Sequence, residues 1–262
     1  HPTNYNTYVT DSPNIFNIWH DFKFVVEECN ATGLYYEGSS KGYLFENLKS
    51  HLAAMFMWSM VENEDGSVSY MSYDEFIDCL KEYLMIHFGK GWEYVYEYIC
   101  MQDEAGNVND VKKYDKDGNP ILDENGNHVT AHICYVNNLD YMGDMFDYEY
   151  MNENYEYMRG LLLTAYDKAL TDDQRGRIET LIVCCDFMGL SSSYKAMYVN
   201  GDSESRAVYE ERYTEMYNFL KDNGLPISSH TVYTIPDNID FTVDPMTQFY
   251  INGSWESSKN CP

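Results

Sequence analysis

Thr171-Asp172-Asp173-Gln174-Arg175-Gly176-Arg177-Ile178-Glu179-Thr180-Leu181-Ile182-Val183-Cys184-Cys185-Asp186-Phe187-Met188 joins a helix start signal to an apolar run. Thr171 and Gln174 stand three apart ahead of an apolar run, the arrangement of a capping box. There the first hydroxyl accepts from an unpaired helical N–H and the later side chain reaches back. Ile178, Leu181, Ile182, Cys185 and Met188 then recur at helical spacing, which predicts a helix running toward Met197. The same period flanks it on both sides. Upstream, the segment 155–170 places Met158, Leu161, Leu162, Ala165 and Leu170 on one stripe. Downstream, Ser203 opens a helix with Tyr209, Tyr213, Met216, Tyr217 and Leu220 inward, and Gly224-Leu225-Pro226 stops it. Three consecutive long helices with short links predict an antiparallel bundle over residues 137–225. Beyond it, residues 226–262 read as an extended tail with one strand near Phe249–Ile251.

Toward the N-terminus the helical period persists but is interrupted once. Ile15, Ile18, Trp19, Phe22, Val25 and Val26 predict a helix up to Cys29, and Gly33 closes that unit. Leu34-Tyr35-Tyr36 reads as a short buried strand leading into Glu37-Gly38-Ser39-Ser40. A second helix follows over 43–60, with Leu44, Leu48, Leu52, Met55, Phe56 and Trp58 as its apolar set. After an Asn63-Glu64-Asp65-Gly66 turn, Ser72 and Glu75 form a second capping box ahead of Phe76, Leu80, Tyr83, Leu84 and His87. Gly89 takes the place of a C-cap glycine, and 92–102 continues helically with Val95 and Ile99 inward.

Residues 106–136 break the pattern. Tyr114-Asp115-Lys116-Asp117-Gly118-Asn119 is echoed by Leu122-Asp123-Glu124-Asn125-Gly126-Asn127, and Asp-Gly or Asn-Gly between extended runs marks hairpin turns. An exposed β-hairpin insertion is expected. Asp115, Asp117 and Asn119 share the spacing of the first ligands of a calcium loop. Pro120 and Gly126, however, stand where such a loop needs Gly and a bidentate Glu, so no metal is expected.

The chain has 262 residues with 44% hydrophobic and 23% charged, the proportions of a globular protein with a sizeable core. Seventeen Lys and Arg oppose 43 Asp and Glu, a net charge of −26. Such a field repels phosphate backbones and anionic lipid, so neither nucleic acid nor a membrane surface is an expected partner. Apolar runs such as 52–60 are far shorter than the roughly 18 residues a membrane span requires. Seven cysteines without regular spacing form neither a disulfide framework nor a zinc motif, and Cys184 and Cys185 read as small buried hydrophobes. His20, His51 and His87 fall singly on helices, and no phosphate loop, dinucleotide fingerprint or nucleophile elbow occurs. No cofactor is expected. The chain starts at His1-Pro2-Thr3-Asn4-Tyr5, which reads as a fragment or mature product of something longer.

One resemblance covers about residues 3–102. Asn4-Tyr5-Asn6-Thr7-Tyr8, Ser12-Pro13-Asn14, Phe22, Gly33-Leu34-Tyr35-Tyr36-Glu37-Gly38, Leu52-Ala53-Ala54-Met55-Phe56-Met57-Trp58 and Phe76…Tyr83-Leu84…Phe88-Gly89 carry it. In order and spacing these resemble the end of an uncharacterised bacterial family of glycoside-hydrolase-like barrels. The resemblance implies an α+β, predominantly helical chain. Residues 1–105 would be the C-terminal remnant of a (β/α)8-type barrel, followed by the hairpin insertion and the antiparallel helical bundle. It also implies a bacterial, extracellular or cell-surface location, a carbohydrate ligand, and the rest of the parent polypeptide as partner.

Barrel enzymes carry their chemistry at the C-terminal ends of strands. By the resemblance, Glu37 follows the eighth strand and lies at the rim, in a slot the family more often fills with Gln. It would then bind a substrate hydroxyl, with Tyr36 and Tyr8 offering aromatic faces to a sugar. Trp19 lies on the apolar helix stripe and is expected in the core. Glycoside hydrolysis needs two carboxylates flanking the bond, and earlier barrel strands usually supply the acid. The catalytic residues therefore stay unassigned, and this chain alone is expected to be inactive, a fragment of a protein that binds or degrades complex carbohydrate. The alternative from composition alone is a non-catalytic, acidic helical interaction or scaffold module.

Overall fold

The computed structural model describes residues 13–29, 31, 45–106, 111–112, 120–131, 147–223, 237–243 and 245, and the longest helix among them is α6 (Asp172–Tyr194). The other helices are α1 (Asn17–Glu27), α2 (Glu46–Ser59), α3 (Tyr73–Phe88), α4 (Trp92–Gly106), α5 (Tyr148–Lys168) and α7 (Ser203–Asp222). Thr171 Oγ1 accepts from the N–H of Gln174 at 3.2 Å, as the capping reading requires. The return half is displaced by one residue, because Gln174 Oε1 accepts from the N–H of Leu170 at 2.9 Å. The orphan donor just outside the helix is thereby satisfied.

α6 packs against α5 along its length and also touches α7 and α3. Val183 to Leu190 are consequently all buried, including Cys184 and Cys185. A helix enclosed on several sides has no single apolar stripe. Its close approach to α5 is set at Gly189, where an added Cβ would lie 2.0 Å from the Tyr155 ring. α5 ends at Lys168, so Leu170 falls in the link and is 65% exposed, against its expected place on the α5 stripe. The remaining expected inward positions of α5 and α7 are buried.

The N-terminal helices join the same core through Trp19, Leu52, Phe56, Phe76, Leu80, Val95 and Ile99. Ser72 and Glu75 make a full capping box on α3, with Glu75 N–H to Ser72 Oγ at 3.3 Å and Ser72 N–H to Glu75 Oε2 at 2.7 Å. Gly89 ends α3 at φ +57°, a conformation that disfavours any side chain, and a 3-10 turn at Gly89–Gly91 leads into α4.

Short antiparallel hairpins complete the described structure. β1 (Val61–Glu62) pairs with β2 (Val68–Ser69) across the expected turn, closed by Gly66 N–H to Asn63 O at 2.9 Å. β3 (Val111–Lys112) pairs with β4 (Thr130–Ala131), and Leu122 faces His128 inside the same loop. Asp123 is consumed by that turn: its carboxylate accepts from the N–H of Asn125 at 2.9 Å and of Asn127 at 2.8 Å. Asp115, Asp117 and Asn119 lie outside the described residues. The chain is therefore mostly helical, with antiparallel hairpins, as the coarse reading expected. The strand 34–36, on which a barrel remnant depends, lies outside the described residues, and no parallel strand pair occurs among them. Among the described residues no helix is long and apolar enough to cross a membrane.

Candidate functional site

An open groove of about 480 Å³ lies where the end of α2, strand β2 and the first turns of α3 converge. Ser59, Ser69, Tyr70, Met71, Glu75, Asp78 and Cys79 line it. Its floor is pinned by backbone groups. Ser59 Oγ donates to Phe56 O at 2.7 Å and accepts from the Met71 N–H at 2.9 Å, while Trp19 Nε1 donates to Met71 O at 3.0 Å. Tyr70 stacks on Phe56 with ring centroids 5.1 Å apart, and its hydroxyl donates to Glu27. Burial, then the hydrogen bond and charge of Glu27, push that phenol up to about 12.

The α3 side is electronegative. The capping box fixes Glu75, and the backbone and side-chain bonds from Ser72 hold its carboxyl below the usual range. Asp78 and Cys79 follow three and four residues later on the same helical face. The Cys79 thiol is raised by burial and then by the charges of Glu82, Asp78 and Glu75.

Trp58, the residue before Ser59, is 90% exposed. Met55 one turn back and Val61 just beyond are also exposed. The sequence reading placed Met55 and Trp58 in the inward set of α2, and the structure corrects this. The buried stripe is Leu48, Leu52 and Phe56, and at about 100° per residue Trp58 stands about 200° around the helix from Phe56. That angular offset was the available signal.

Two other polar clusters stand out among the described residues. Between α5, α6 and α7, buried Asp186 accepts from Tyr155 Oη at 2.7 Å and Arg159 Nε at 2.8 Å. On the surface, His51 and His87, expected as isolated, flank Tyr83 with ring centroids 5.2 and 4.0 Å away. Arg177 donates to the His87 carbonyl at 3.2 Å. Burial, then Arg177 and His51, hold the His87 imidazole below its usual range. Among the described residues no group of three or more His, Cys, Asp or Glu side chains could hold a metal ion. The Asp186 cluster is enclosed by three helices and serves the core. The groove, by contrast, opens to solvent.

Glu37, Tyr36 and Tyr8 lie outside the described residues. Trp19 is buried in the core, as expected from its stripe. No family model, curated protein or solved structure matches this chain.

Proposed function

We propose that this chain is a non-catalytic, carbohydrate-contacting helical part of a larger glycoside-hydrolase-like protein. The observation that carries the reading is Trp58, an indole left 90% exposed one residue from a groove of hydroxyls and carboxylates. A flat aromatic face takes the C–H face of a pyranose, while hydroxyl and carboxylate oxygens such as those of the groove take sugar hydroxyls. Small-ligand sites share that composition, apolar surface with a few convergent polar groups. The resemblance over residues 3–102 supports the same class of ligand. Glu75 suits binding better than catalysis. A glycosidic general acid needs a raised pKa, whereas Ser72 holds Glu75 low.

Calorimetric titration with neutral and charged oligosaccharides tests the reading, with Trp58→Ala beside the unmodified chain. Binding abolished by Trp58→Ala with an unchanged melting temperature is the expected result, together with no turnover of aryl glycosides. Equal binding by the variant, or no binding by either protein, overturns it and leaves the acidic interaction or scaffold module.

A further inference from the structure

Independently of the carbohydrate reading, we propose that the end of α6 and the adjoining face of α7 form a docking slot for an aromatic side chain carried on a short Asp-headed turn. Residues 237–243 fill that slot in cis, as a releasable latch. Tyr194 and Tyr198, stacked with centroids 5.7 Å apart, and Tyr209 and Tyr213 of α7, at 5.9 Å, line it. Phe241 is seated among them, edge-on to Tyr213 at 5.6 Å and stacked against Tyr198 at 6.4 Å. The Tyr194 hydroxyl donates to the Thr242 carbonyl, and Ile239 packs beside Phe241 on the core. The wall of the slot has an unusual backbone. Directly after Tyr194 the helix passes into a π-helical turn, Lys195–Val199, closed by Asn200 N–H to Lys195 O at 2.9 Å. Arg206 of α7 braces that turn, donating from Nε to Tyr198 O at 2.8 Å and from Nη2 to Val199 O at 3.2 Å. Turns of this kind are rare and concentrate at functional sites.

The occupant holds its own shape. Asp240 Oδ1 accepts from the Thr242 N–H at 2.9 Å and from Thr242 Oγ1 at 2.6 Å, and Val243 N–H donates to Asp240 O at 3.2 Å. These bonds are internal to residues 240–243, so the turn presents Phe241 whether or not it is docked. A ligand ordered in advance loses little freedom on binding. Its seat is shallow. Ile239, Phe241 and Val243 are half-buried and Asp237, Asn238, Asp240 and Thr242 exposed, whereas Tyr209 and Tyr213 beneath them are fully buried. A segment with little buried apolar surface opens locally at less cost than the whole fold. Asp237 and Asp240 also bring negative charge toward a chain of net charge −26, which opposes the docking that Phe241 drives. The latch can therefore leave while the bundle stands, and the slot it uncovers fits another chain's aromatic residue on the same kind of turn.

Two measurements on the full chain test the proposal. In native-state hydrogen exchange, the amides of Thr242 and Val243 should lose protection at denaturant concentrations that leave those of Met216 and Leu220 in α7 protected. Loss of both sets only in global unfolding overturns the latch. This arm needs no substitution, so it decides the matter even where a variant folds poorly. The second probe is a peptide of residues 237–243 with both ends capped, titrated by NMR into the double variant Ile239→Ala/Phe241→Ala. Saturable binding with shifts at Tyr198 and Tyr213 is the expected result. The unmodified chain should bind the same peptide about tenfold or more weakly, because its slot is vacant for only a small fraction of the time. The peptide carrying Phe241→Ala should bind neither protein. No binding to the double variant, equal affinity for the variant and the unmodified chain, or equal binding of the alanine peptide overturns the slot.

Discussion

The hydroxyl of Tyr155 and the Nε of Arg159 converge on one oxygen of Asp186, at 2.7 and 2.8 Å, with all three side chains largely removed from solvent. Tyr155 also reaches the third helix. Arg212 of α7 lies 5.3 Å above its ring and pairs with Glu156 through Nη2 at 3.0 Å. One carboxylate thus ties α5 to α6, and one aromatic ring ties both to α7. Burial drives the Asp186 carboxyl above its ordinary range, and Arg159 and Tyr155 only partly oppose this.

Tyr155→Phe removes one hydrogen bond from a buried carboxylate and should cost about 1–3 kcal/mol. Arg159→Leu removes the compensating charge and should cost more, about 3–5 kcal/mol. The loss with Arg159→Leu should shrink as pH falls. A folded-state pKa above the unfolded one means that the folded chain binds the extra proton, so acidification favours it until both forms are protonated. Urea denaturation of both variants at neutral and mildly acidic pH checks the ranking. An Arg159→Leu melt matching the parent at neutral pH would show that the pair bears no load.

Phenols take the part that cations play in less acidic proteins. With 43 acids against 17 Lys and Arg, carboxylates on adjoining elements are met by tyrosine hydroxyls. Tyr150 donates to Glu104 at 2.6 Å, Tyr166 to Glu179 at 3.2 Å, and Tyr157 to Glu97. Burial raises Tyr70 to about 12 and lifts Tyr150 and Tyr155 further, with the partner carboxylates adding to each. The unfolded chain loses its phenolic protons near 10 while these folded phenols keep theirs. Stability should therefore be complete below about pH 10 and decline as pH rises toward 12 and beyond. Phenolate absorbance should show a late-titrating class that vanishes in denaturant. A single transition near 10 in the native protein would contradict this.

Legibility from sequence followed the type of constraint. Local rules carried well. The Ser72–Glu75 box, the Gly89 cap and the inward set of α7 are fixed by a few neighbours in the chain, and each is present. Trp58 departs from the expected set because apolar character alone does not say which azimuth of a helix its neighbours bury. The Asp186 cluster was missed for a different reason. Tyr155 and Asp186 stand 31 residues apart, and only packing of α5 on α6 brings them together. The groove depends on the same kind of meeting, since Ser59 reaches Met71 across a hairpin.

Gly189→Ala should destabilise, although alanine is the better helix former by about 1 kcal/mol. A Cβ there would lie 2.0 Å from the Tyr155 ring, so overpacking of about 1–3 kcal/mol or more should prevail. Pairing it with Tyr155→Leu tests the cause. If the clash is responsible, the double variant should lose less than the sum of the single losses. Additive losses in thermal or urea melts would place the defect elsewhere.

Ser72→Ala tests how far the groove depends on a local cap. Ser72 Oγ accepts the N–H of Glu75 at 3.3 Å, and its own N–H and hydroxyl donate to Glu75 Oε2 at 2.7 and 2.9 Å. Loss of an N-cap hydroxyl typically costs about 1 kcal/mol. The hydroxyl's bond to the carboxylate also disappears, while the backbone N–H of residue 72 can still donate. The Glu75 carboxyl, now held below its usual range by both, should therefore move part of the way back up. The sign for stability follows from that direction. A depressed folded-state pKa contributes above the unfolded value and is lost as pH falls through the folded one. The variant should accordingly show a smaller acid-side loss than the parent, starting from a lower plateau. Carboxyl-resonance titration of Glu75 by NMR, alongside melts at several pH values, measures both quantities. A Glu75 titration identical in the two proteins would mean that the backbone N–H alone holds the carboxylate, and the side-chain half of the box contributes nothing to the groove.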